Sequence, residues 1–124
     1  MNRRAFRKWC SEAAPILASL MRSEDSVLSR LGGPPAALTA CLDQLEAAWC
    51  EAEDWLYDHP CPDSKSGAQS DALVRSCGGI WAIASTYLAV ADDPENKDRV
   101  DDYLKGRIAV SEEARAYLGQ CGIK

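Results

Sequence analysis

Residues 36–57 read AALTACLDQLEAAWCEAEDWLY, and the spacing of their apolar side chains decides the fold. At 100° per residue Leu38, Cys41, Leu42, Leu45, Trp49, Ala52 and Leu56 fall on one side of a helix, and the other side is acidic. Strands alternate with a period of two, and nothing here does. Gly32, Gly33, Pro34 and Pro35 precede the stretch, with glycine just past one helix and proline at the start of the next. His59, Pro60, Cys61 and Pro62 follow it and stop it.

The same period runs outward in both directions. Phe6, Trp9, Cys10, Ala13, Ile16, Leu17, Leu20 and Met21 form a stripe that continues through Val27, Leu28 and Leu31. Pro15 lies on its opposite side, and Glu24 intrudes on the stripe itself. One long kinked helix or two shorter ones fit this pattern. After an exposed loop from Asp63 to Gly67, Ser70 or Asp71 can cap a third helix running to about Ala91, with Leu73, Cys77, Ile80, Trp81, Ala84 and Leu88 on its main apolar face. Its back carries Gly78, Ala82, Ser85 and Ala89, small residues that let another element approach closely, either within the bundle or as a homodimer seam. Asp93, Pro94 and Glu95 open a fourth helix with Val100, Tyr103, Leu104 and Ile108 on its buried side, and Ser111, Glu112 and Glu113 open a short fifth that ends near Gly119. The expectation is an all-α, compact bundle of four to five helices in one domain, 1–124, the first two helices forming an antiparallel hairpin.

Charge is distributed unevenly along this bundle. Between Arg30 and Lys65 there is no lysine or arginine, while Asp43, Glu46, Glu51, Glu53, Asp54, Asp58 and Asp63 supply seven negative charges. Against an overall formal charge of −5, that leaves the rest of the chain at +2. Like-charged pairs such as Asp43/Glu46 and Asp54/Asp58 each oppose the helix by about 0.2–0.5 kcal/mol. Asp54 and Asp58 also sit at the end of the helix dipole that favours cations. Arg3, Arg4, Arg7 and Lys8, brought alongside by the hairpin, are the expected internal answer to Asp54 and Asp58. Asp43 and Glu46 have only Arg22 and Arg30 within prospect.

The part of this acidic face that the chain does not answer internally, around Asp43 and Glu46 with Glu53 and Tyr57 on its margin, points to a basic partner. Asp43, Glu46, Glu53, Asp54 and Tyr57 are the candidate partner-binding residues, an aromatic among carboxylates that steer a basic surface of a protein or nucleic-acid-binding complex. The class implied is a small inhibitor, immunity or adaptor protein, not an enzyme. Direct nucleic-acid binding needs a basic stripe, and the acidic charge balance argues against it. The alternative is a small-molecule, metal or thiol site around Cys50, His59 and Cys61, although these lack the paired Cys-x-x-Cys spacing of structural zinc.

Other patterns lead nowhere. Residues 92–98 are rich in carboxylates, but Pro94 and Lys97 stand where a calcium loop needs ligands and no central glycine is present. No phosphate loop or nucleophile elbow occurs, and no cofactor is expected. The segment from Asn2 to Lys8 has the paired arginines of an export signal, yet Arg7 and Glu12 interrupt the pattern, so a folded helix is expected there. Ser76–Ala91 is uncharged but short for a bilayer, and with Cys10, Cys41 and Cys77 on apolar faces the six cysteines read as reduced thiols, so a cytoplasmic protein without a membrane anchor is expected.

Overall fold

The computed structural model describes residues 2–90 and 93–124, and all of its regular structure among them is helical. The elements are α1 (Arg3–Arg30), α2 (Pro35–Asp58), α3 (Ser64–Ser85), α4 (Tyr87–Val90) and α5 (Pro94–Gln120). This is the all-α bundle expected from the apolar spacing.

α1 is a single helix through Pro15, whose ring faces solvent where the lost backbone bond is not buried. The Asn2 side chain accepts from the N–H groups of Arg4 and Ala5 at its start. Gly32, at φ +79°, takes the left-handed turn that releases the chain into α2. Trp9 near the start of α1 meets the end of α2, its indole N–H donating to the His59 carbonyl at 2.8 Å. Phe6, Trp9, Trp55 and His59 form a continuous row of rings, with successive centroids 6.4, 5.8 and 4.5 Å apart.

α3 is the central element, touching α1, α2, α4 and α5. It begins a full turn and more before the expected caps, because Asp63 caps it instead. The Asp63 carboxylate accepts from the Ser66 N–H at 3.1 Å and the Ser66 hydroxyl at 2.6 Å. The anticipated loop is therefore helix, and Ser66 and Ser70 are buried, the Ser70 hydroxyl donating to the Ser66 carbonyl. The hydrogen bonds from Ser66 hold the Asp63 carboxyl below its ordinary value near 3.8. That stabilisation is complete above the ordinary value and is lost as pH falls through the lowered one. Asp63→Asn keeps a capping acceptor but cannot titrate, so urea midpoints measured from pH 5 downward should fall less steeply for the variant than for the parent chain.

α3 ends earlier than expected, at Ser85, where Thr86 turns the chain into the short α4; the expected end at Ala91 lies outside the described residues. By length and composition Ser64–Val90 could cross a membrane, but here it is broken at Thr86 and packed among helices. The small-residue stripe is divided. Gly78 lies under Trp49, whereas Ala82 and Ala89 are exposed.

α5 is continuous where two helices were expected. Asp93 caps it and Pro94 begins it, but Ser111 is buried in its middle and opens nothing. At its end Gly122, at φ +83°, lets the Ile123 N–H reach the Leu118 carbonyl and the Gly122 N–H reach the Gly119 carbonyl, and Ile123 is buried as the apolar plug of that cap. The core is built from Leu17, Leu20, Leu38, Leu45, Leu73, Ile80 and Leu118, each with under 2 % of its surface exposed. Each such burial is worth about 1.5–3 kcal/mol.

Candidate functional site

The five candidate partner-binding residues are all exposed on α2. Helical geometry separates them into two flanks. Glu46, Glu53 and Tyr57 fall together on the flank nearer α3, and Asp43 and Asp54 fall together further round, next to Asp58. Tyr57 is 86 % exposed, the most exposed large apolar side chain among the described residues. Glu53 and Tyr57 line an open groove of about 620 Å³ between the end of α2 and the start of α3, floored by Leu56 and Val74 and flanked by Asp71 and Arg75. Asp43, Glu46 and Asp54 lie outside that groove.

The expected internal neutralisation does not form. Among the described residues the ion pairs are Lys8–Glu12, Arg99–Glu95, and Arg115 with Glu24 and Asp25, and none includes an acid of α2. The reason is the ring row described above. The start of α1 does lie against the end of α2, but Phe6, Trp9, Trp55 and His59 occupy the contact. The guanidinium groups of Arg3, Arg4 and Arg7 remain at the surface. Arg22 and Arg30 likewise make no ion pair with Asp43 or Glu46.

Among the described residues no metal site forms around Cys50, His59 and Cys61. His59 is the C-cap of α2: its backbone N–H and its ring Nδ1 both approach the Trp55 carbonyl at 2.9 Å. A carbonyl only accepts, so Nδ1 carries the proton and is lost as a ligand. Cys50 is exposed along α2, and no group of three or more His, Cys, Asp or Glu able to hold a metal occurs among the described residues.

Two clusters escaped the sequence reading. The first surrounds Glu24, which is 2 % exposed. Ser111 Oγ lies 2.8 and 2.7 Å from its two carboxylate oxygens, the Cys77 thiol donates at 3.2 Å, and Arg115 pairs with it directly. Arg115 also donates to the Met21 carbonyl at 2.9 Å and pairs with Asp25 at 3.0 Å. Burial opposes the Arg115 charge, but Asp25 and Glu24 outweigh it. Burial, followed by the Glu24 charge, pushes the Cys77 thiol far up, so it is an inert donor. A carboxylate interrupting an apolar stripe was the signal in the sequence. Nothing there pointed to Arg115, ninety-one positions away.

The second cluster is of thiols. Cys10 on α1, Cys61 in the α2–α3 connection and Cys121 at the end of α5 converge at one end of the bundle. Cys121 Sγ lies 3.7 Å from Ser66 Oγ, and a Cβ on Gly67 would stand 3.2 Å from that of Cys61. Burial raises the Cys10 thiol, and Cys121 and Cys61 raise it further. Burial also raises Cys61, partly offset by a hydrogen bond from the Asp63 backbone, with the Asp63 carboxylate and Cys121 adding smaller increases.

No family model, curated protein or solved structure matches this chain.

Proposed function

We propose that this chain is a non-enzymatic binding module that presents the acidic flank of α2 to a basic surface on another macromolecule. The observation that carries this reading is the absence, among the described residues, of any ion pair to the seven acids between Asp43 and Asp63. A chain that leaves like charges adjacent on one helix, unpaired, retains a field that steers a cationic partner and raises its association rate. Tyr57 adds contact area within that field, since an exposed tyrosine beside a groove supplies binding energy at little cost in side-chain entropy. An inhibitor, immunity or adaptor role in the cytoplasm fits this chemistry.

The test is charge reversal on a surface that the core does not use. Glu46→Lys with Glu53→Lys should leave the helical circular dichroism and the urea midpoint near those of the parent chain, because both residues are exposed and the change relieves repulsion along α2. The same change should abolish affinity capture of the partner from lysate, and raised salt should release the captured partner from the parent chain. Capture that survives the double reversal overturns the reading.

A further inference from the structure

We propose that Cys10 and Cys121 form a redox-active thiol pair that exchanges with an anionic low-molecular-weight disulfide. The two residues are far apart in sequence, and the fold sets them on the walls of one cavity of about 510 Å³ with Phe6, Arg7 and Ala14. Both are half-buried free thiols. The cavity is open and both cysteines line it, and Arg7 supplies a positive charge at its wall. A reagent of the oxidised-glutathione class carries carboxylates that such a charge would hold.

The position of Cys121 is fixed by the α5 cap: Gly122 in its left-handed conformation and the buried Ile123 leave little freedom at the chain's end. Cys10 sits within the long α1, one residue from the buried Trp9. The pair therefore joins two ordered elements. A third thiol, Cys61, adjoins the pair and also lines the groove beside Tyr57.

The chemistry balances as a two-step exchange. One protein thiol loses its proton and attacks a sulfur of the reagent RSSR, forming a mixed disulfide and expelling RS⁻, which takes up a proton. The second thiol, deprotonated in turn, attacks the protein-borne sulfur; the Cys10–Cys121 bond forms and the second RS⁻ leaves. Two thiols are oxidised and one small disulfide is reduced to two RSH. Because burial and the neighbouring thiols hold Cys10 above its ordinary value of 9.0, exchange should accelerate steadily from pH 7 to pH 9.

The experiment treats the full chain with oxidised glutathione and maps the products by mass spectrometry without reductant. The expected product is an intramolecular link between the peptides carrying Cys10 and Cys121, with a raised thermal unfolding midpoint that dithiothreitol reverses. Cys61→Ser should form the same link, and Cys10→Ser should instead trap glutathione on Cys121. The proposal is overturned if glutathione accumulates on exposed Cys50 while Cys10 and Cys121 stay reduced, or if the link formed is one to Cys61.

Discussion

Arg115→Met is expected to lower stability by about 3–5 kcal/mol, the cost of leaving a buried charge without its partner. The effect follows from an asymmetry within the cluster. Glu24 has 3 % of its side chain exposed, whereas Arg115 has 26 % and a second acid, Asp25, which is itself 63 % exposed. Removing the arginine strands the carboxylate with only the Ser111 hydroxyl and the Cys77 thiol. Removing the carboxylate does less harm, because Arg115 can turn to Asp25 and solvent. Glu24→Leu should therefore cost clearly less than Arg115→Met. The double variant should recover much of the loss, since buried ion pairs replaced by apolar residues of similar volume are often neutral. Urea unfolding of the three variants at pH 7 measures the order. A loss below about 1 kcal/mol for Arg115→Met, the range of surface ion pairs, would show that the cluster does not hold α5 to α1.

Gly78→Val is expected to cost about 1–3 kcal/mol through overpacking. A Cβ at this position would stand 2.9 Å from Cε2 and Cζ2 of Trp49 and 3.2 Å from its Nε1. The indole is a rigid plate that also packs on Trp81, with centroids 6.0 Å apart, so it cannot yield without disturbing the α2–α3 contact. Gly106 provides the control. It lies within α5 with nothing inside 4 Å of its would-be Cβ, so Gly106→Ala should stabilise the chain by up to about 1 kcal/mol from helix propensity alone. Opposite signs at two helical glycines, read by thermal unfolding, would isolate the close approach as the reason for Gly78. A stabilising Gly78→Val would remove it.

The legibility of this fold differs from element to element. α2 was readable almost to the residue because its stripe is uninterrupted and proline stands at both borders. The start of α3 differs from the expected one because five residues near it, Asp63, Ser64, Ser66, Ser70 and Asp71, have capping side chains. Which one caps depends on where the connection from α2 leaves the chain, and Asp63 is the residue delivered there. The division of α5 at Ser111 failed for a related reason. A serine followed by glutamates is a start signal when its hydroxyl meets a free backbone N–H, but here the hydroxyl meets Glu24 of another helix. For the candidate site, exposure of Asp43, Glu46, Glu53, Asp54 and Tyr57 followed from periodicity. Their lack of internal partners did not, since it depends on aromatic rings filling the contact where salt bridges were expected.

Local spacing thus determined by itself that the chain is helical, the apolar stripes of α1 and α2, and that the acids of α2 face outward, because those properties repeat every few residues along one element; Tyr103 and Leu88, expected on apolar faces, are 71 % and 42 % exposed. Tertiary structure alone decided that Glu24 meets Ser111 and Arg115, that Trp49 covers Gly78, and that Cys10, Cys61 and Cys121 gather at one end. These pairings join residues tens of positions apart. They are set by how finished helices dock, which no periodicity within a single helix encodes.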